Sequence, residues 1–490
     1  MDSNLIKIFK YIDKYQEHML DDLRKIISFK SISGSYEHQN EMQEMIRWTE
    51  ARLKSLKPSY CERFDIGSHT FNGRTFKLPY VIFATFGNDP KKTTVLIHCG
   101  VDVKDSDLSG WTTDPWSLVK SNRDLVGRGV YKGKTQFISW LHILEAFRTQ
   151  DLVLPVNFKF LIEGMSQMNS IGLEDLLWTE RTRFFRDIDF ICVNDMEWLN
   201  STNPCIGFGC CGISQFELIC TETRKDINPF VVIDSIIKSI SDDKGNISIP
   251  KFDDDVLRIT PEIEQVIDSV ELDLNLIKAK IPQYMHGWNK QKILLHLWQF
   301  PSLKVDDDFT DVSCTCGKSG DSPNGISKKL TFKIVHGQTH ERCTSDFFDF
   351  IPVVVQSMFA DRRFAVDCKV TSKSLKCSIT DKKSPVATII IKSLVQNQTW
   401  QEDTDSAHFL AAKRATKNVF KYPMNLIKHS SNIPIISKLS QIVRKSIVVM
   451  PLGDNRMDEK YSNERIPETL FFEGKKLMAS YIIEISKIKQ

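Results

Sequence analysis

The sequence predicts an α/β fold built on a largely parallel sheet. Three observations point there: β-branched and aromatic runs of strand length, amphipathic stretches of helix length, and their alternation along the chain. Residues 4–30 place Leu5, Ile8, Phe9, Ile12 and Leu20 at helical spacing. Glu41 to Leu56 reads as a second helix. Val81–Phe86 and Thr94–Ile97 read as strands, Gln136–Phe147 as a helix, and Val156–Ile162 and Asp189–Val193 as further strands. In such folds ligands bind beyond the carboxyl ends of the strands, so the residues that follow each strand carry the functional signal.

Composition narrows the classes. A chain of 490 residues exceeds one typical domain, so two or more cores are expected. Its net charge of +3 gives no reason to expect a nucleic acid or an anionic membrane as partner. No run of about twenty apolar residues is present, so no transmembrane helix is expected. The opening MDSNLIKIFKYIDKYQEHML carries charges every few residues and lacks the apolar core of an export signal, which predicts a cytoplasmic protein. The twelve cysteines are therefore expected to be reduced and mostly buried. Neither Cys210-Cys211 nor Cys314 with Cys316 has the paired spacing of a zinc knuckle.

Three strand ends carry chemistry. The run Val95-Leu96-Ile97 leads into His98-Cys99-Gly100-Val101-Asp102. Phe160-Leu161-Ile162 leads into Glu163-Gly164-Met165-Ser166-Gln167, and Ile191-Cys192-Val193 into Asn194-Asp195. A glycine-punctuated loop, Gly127-Arg128-Gly129-Val130-Tyr131-Lys132-Gly133, opens the helix at Gln136. These segments, with GWTTDPWSLV, LPVNFKFLIEGM, NPCIGFG, GNISIP, LLHLWQFPSL, HFLAAKRATKNVF and EGKKLMASYIIEIS in that order, resemble the cytosolic non-specific dipeptidase and carnosinase family of di-zinc peptidases. The resemblance covers nearly the whole chain.

It implies a zinc-peptidase-like three-layer α/β/α domain split in sequence, residues 1–212 and 399–490. An α+β lid, residues 213–398, would be inserted between the parts and used for dimerisation. The family holds two zinc ions bridged by a carboxylate and a water, which the metals activate while a glutamate moves the proton. Carried over residue by residue, the family's site is much altered here. The first ligand position, a histidine in G-H-x-D-V, is Gly100, while its orienting carboxylate survives as Asp102. His98 cannot stand in, because two residues of strand are about 6.6 Å and a zinc–nitrogen bond is about 2.0 Å. The bridging aspartate of G-R-G-x-x-D-D-K-G is Lys132, which has no lone pair to offer a cation. The general-base position is Ser166, and the ligand after it is Gln167. Asp195 is retained, and the last ligand position, a histidine in the family, is Lys460.

Substrate positions differ as well. The arginine that grips the substrate carboxylate corresponds to Lys333, which keeps charge but loses the bidentate fork. A threonine corresponds to Gly320 and a loop serine to Asn432. No histidine stands near Asp226–Asn228, where the lid would supply one. Between Asp367 and Val395 the chain is longer than the family requires, with candidate strands Ala365–Thr371 and Val386–Ile391.

These substitutions predict a catalytically inactive homologue that needs no metal cofactor. Lys132 and Lys460 would either take over the charge neutralisation zinc supplies in the family or simply point to solvent, and the chain would serve as a dimerising scaffold or regulator. Its partner would be a second copy or an active dipeptidase, with no nucleic acid and no membrane. The alternative is a cytosolic metal-dependent dipeptidase or carboxypeptidase of weak or altered activity on short peptides.

Overall fold

A computed structural model describes the chain apart from residues 1, 72, 106–108, 225–226, 279–280, 312–324, 362, 383, 454–461 and 489–490. Its N-terminal helical stretch is two helices, Ser3–Lys14 and Gln16–Ile27, where the sequence pattern suggests one. Asp2 caps the first by accepting from the amides of Asn4 and Leu5. At Tyr15 the backbone leaves the helical region (φ −107°, ψ 31°), and both apolar stripes, Leu5-Ile8-Ile12 and Leu20-Leu23-Ile27, reach the same core.

The larger sheet runs in the order Tyr60–Phe64, Val81–Phe86, Asn157–Glu163, Thr94–Gly100, Phe190–Val193, Ser446–Val449, Cys205–Cys210, Trp400–Gln401, with Asn425–His429 also paired to Cys205–Cys210. Its centre is parallel, as expected, through the pairings among Asn157–Glu163, Thr94–Gly100, Phe190–Val193 and Ser446–Val449. Most pairings on the flanks are antiparallel, although Cys205–Cys210 and Asn425–His429 run parallel, so the sheet is mixed. Central strands buried on both faces need unbroken apolar runs, and every residue of Thr94–Gly100 and Asn157–Glu163 is buried. The helix Lys134–Thr149 is also buried nearly all round, the pattern of an element enclosed by other helices. Gln39–Ser55, Ala407–Val419 and Glu468–Ile485 complete the helical layers.

The smaller sheet is antiparallel, ordered Ser302–Val305, Gly325–Ile334, Gly212–Glu222, Ser384–Asn397, Ser374–Asp381, Phe364–Val370. Pro229–Ile240 and His340–Met358 pack on it around a core that includes Phe216, Ile233, Phe332, Phe347 and Ile389. Both candidate strands of the longer segment are strands, and a third, Ser374–Asp381, lies between them. The sheets change hands between Cys210 and Gly212, and again between Asn397 and Trp400. Ile267, Val270, Leu294 and Trp298 nevertheless pack into the larger core.

The expectation that every cysteine is reduced is corrected. Cys368 and Cys377 face each other across the outer strand pair and form a disulfide. Most of the free cysteines among the described residues are buried, as expected. Cys314 and Cys316 lie outside the described residues.

Candidate functional site at the strand ends

The carboxyl ends of Thr94–Gly100, Asn157–Glu163 and Phe190–Val193 deliver the three motif segments side by side, because the strands are neighbours in register. Asp102, fully buried, accepts from the Ser166 amide (3.1 Å), the Ser166 hydroxyl (2.6 Å) and the Gln167 amide (2.8 Å). Burial lifts its carboxyl to about 6, even though these hydrogen bonds pull the other way. Ser166 and Gln167 sit on the single turn Ser166–Met168 and are half-buried.

Gly100 is tied to Ser166 by packing. A Cβ at position 100 would collide with Ser166 Oγ and stand 2.7 Å from Ser166 Cβ. The serine thus fills the space beside the glycine. His98 faces a different partner: its Nε2 is 2.8 Å from Glu163 Oε1, which also accepts from Ser170 Oγ at 2.7 Å.

Lys132 reaches Asp195, with Nζ 3.2 Å from Oδ1. Burial alone would raise the Asp195 carboxyl, but the Lys132 ammonium, the Met196 amide and the nearby His429 hold it below the ordinary value. Beside it Asn194 is locked in place, accepting from Trp140 Nε1 and donating to the Met450 carbonyl. Gly133, which follows Lys132, has φ +88°, and a Cβ there would press to 3.0 Å from the Asp102 carbonyl oxygen, so the turn requires glycine.

Sequence reasoning missed Glu464. Its buried carboxylate accepts from the amides of Gly129 (2.8 Å) and Tyr131 (2.9 Å) and lies 3.5 Å from Arg128 Nη1. It thereby shapes the loop that presents Lys132. These contacts span more than 300 residues, and no local motif announces them.

The substrate positions are not gathered with these groups by any contact among the described residues. Lys333 Nζ donates to the carbonyls of His296 (3.1 Å) and Leu297 (3.2 Å) at the end of helix Lys290–Gln299, a C-terminal capping role. Burial lowers its pKa. Asn432 is half-buried, and its Nδ2 is buried with no hydrogen-bond partner among the described residues. Gly320, Lys460 and Asp226 lie outside the described residues.

A family model described as peptidase family M20/M25/M40 matches residues 101–484. The human Beta-Ala-His dipeptidase is 29% identical over 99% of this chain and 93% of its own length. The Cys-Gly metallodipeptidase dug1 of Schizosaccharomyces pombe is 24% identical over 100% of both chains. The crystal structure of human carnosine dipeptidase 1 superposes with a TM-score of 0.78 at 27% identity, covering 99% of this chain and 100% of that one. The two-part fold, a peptidase domain with a lid, is therefore established.

The comparisons correct the expectation that no cofactor is involved. The fission-yeast relative is a metallodipeptidase, and a Bacillus subtilis M20 peptidase of the same fold is described as dinuclear metal binding. Metal dependence is the family's chemistry. The described residues at these strand ends nonetheless do not reproduce a carboxylate-bridged pair of ions. An ammonium sits on Asp195, and Ser166 fills the space beside Gly100. With a family model spanning residues 101–484 and relatives aligned end to end, the chain belongs to peptidase family M20/M25/M40.

Proposed function

We propose that the chain binds short peptides at the strand ends and hydrolyses them weakly or with altered specificity. End-to-end alignment with dipeptidases supports hydrolysis, and the observation that carries its being weak or altered is the Lys132–Asp195 pair, which neutralises a carboxylate at the strand ends. Its relatives act on dipeptides by name, which supports β-alanyl-histidine and Cys-Gly as the first substrates to try. Ser166 has its hydroxyl committed to Asp102 at 2.6 Å and is a poor proton acceptor at neutral pH, so proton transfer is the step expected to suffer most.

A second reading is favoured by the interlocked Gly100 and Ser166, which occupy space a ligand side chain would need. On that reading the chain is an inactive scaffold or regulator, working as a homodimer or paired with an active dipeptidase through the smaller sheet.

The test is hydrolysis of both dipeptides by the purified full chain, with zinc or manganese added, beside the human Beta-Ala-His dipeptidase. Metal-dependent turnover well below the human enzyme supports the first reading. No turnover with either metal selects the second, which light scattering, alone and with an active dipeptidase added, then examines. Turnover equal to the human enzyme overturns both.

A further inference from the structure

Away from the strand ends, a second group of metal-competent side chains converges from two helices. His18 and Asp22 lie one turn apart on Gln16–Ile27, and His142 and Glu145 lie one turn apart on Lys134–Thr149. His142 and Glu145 are 9 and 12 residues beyond Gly133, or about 15 Å along the helix by its rise per residue, so this group is distinct from the strand-end site.

One ligand atom each from His18, Asp22 and Glu145 falls within 4.8 Å of the others. His18 Nε2 is 3.6 Å from Glu145 Oε2 and 4.0 Å from Asp22 Oδ2. Ligands about 2.0–2.1 Å from a tetrahedral ion stand about 3.3 Å from one another, so small side-chain adjustments close this set.

The surroundings are built for it. Arg52 Nη2 donates to Asp22 Oδ2 (2.6 Å) and Glu145 Oε1 (2.7 Å), and so fixes both carboxylates. It leaves Glu145 Oε2 buried with no hydrogen-bond partner among the described residues. Leaving a buried carboxylate oxygen without a donor is costly, and a cation would relieve it. Counting imidazoles as uncharged ligands, two carboxylates against one guanidinium leave an excess of negative charge. His142, fully buried, places Nε2 3.2 Å from Asp22 Oδ2, while its Nδ1 has no partner among the described residues. Its proton therefore belongs on Nε2, donated to Asp22. His142 acts as a positioning residue. Lys475 and Tyr11 are the other titratable groups felt here, and both are buried. His18 is half-exposed, so solvent has access to a fourth coordination position.

We propose that His18, Asp22 and Glu145 form a second metal site that takes one divalent transition ion of the zinc class and clips the N-terminal helix to the central helix. An imidazole with two carboxylates is a donor set suited to zinc.

The test uses the full chain, stripped with chelator and dialysed against zinc alone, with bound metal and melting temperature as readouts. The Asp195→Asn variant serves as background, so that any ion held at the strand ends is separated from this one. Expected is one zinc per chain that survives Asp195→Asn and raises the melting temperature. His18→Ala, which changes a half-exposed side chain and leaves the fold intact, should weaken binding at least tenfold, and Glu145→Gln should do the same. No zinc uptake by the Asp195→Asn chain, or uptake unchanged by His18→Ala, overturns the proposal.

Discussion

Lys132 changes the electrostatics of the strand-end site at the cost of one flexible side chain. Its ammonium and the Asp195 carboxylate are 31% and 20% exposed, so the pair lies between a surface ion pair and a buried one. Lys132→Met should destabilise the chain by about 1–2 kcal/mol at pH 7, read by urea unfolding. The sign follows from Asp195, whose carboxyl is held below its ordinary value in the folded state. Its contribution is present above the unfolded carboxylate pKa and fades as pH falls below about 4. The variant and the parent should therefore converge in acid. At this scale the sequence was informative wherever a changed residue sits in a local motif, as at Gly100, Lys132, Ser166 and Gln167. It was silent on Glu464, whose partners are the amides of a loop far earlier in the chain. It also did not foretell that Lys333 would spend its charge on helix carbonyls.

Elements were legible where the apolar period was strong. The strands Val81–Phe86, Thr94–Gly100 and Asn157–Glu163 and the helix Lys134–Thr149 all stand within a few residues of their expected places. The break at Tyr15 was not legible, because the apolar pattern continues through it and only tertiary packing turns the chain. Ser374–Asp381 was missed although Leu375, Cys377 and Ile379 alternate with exposed or half-buried residues, since lysine and serine dilute the signal. That strand supplies one end of the Cys368–Cys377 bond. Alkylation of the native chain followed by mass spectrometry should leave both cysteines unmodified until reductant is added. Cys377→Ser should cost about 2–3 kcal/mol under oxidising conditions, the loop-closure value for so short a loop. Modification of both thiols without reductant would instead fit the reducing compartment that the sequence suggested.

For the whole molecule, the two-sheet architecture was readable through family resemblance, while the order of strands in the larger sheet was not. Among the described residues no helix is long and apolar enough to cross a membrane. The late helices seal the larger core partly through His408, buried between Ser446 Oγ (2.9 Å) and the Tyr481 hydroxyl (2.7 Å). Burial lowers its pKa to about 3. The unfolded chain protonates this imidazole first, so stability from it is present above pH 6.5 and is lost as pH falls toward 3. By pH 4.5 the loss is about 2–3 kcal/mol, from about 1.4 kcal/mol per pH unit. The melting temperature should drop over that range, and His408→Gln should flatten the drop.

Ser446–Val449 lies in the middle of the larger sheet, between Phe190–Val193 and Cys205–Cys210. During synthesis the strands on either side leave the ribosome long before the strand that joins them. The nascent chain must hold an open slot, with Val193 and Gly207 waiting for Val449, while the whole smaller sheet is made. A chain cut short between Cys210 and Ser446 would hold both flanking strands without the one that joins them, leaving two half-sheets with bare apolar edges.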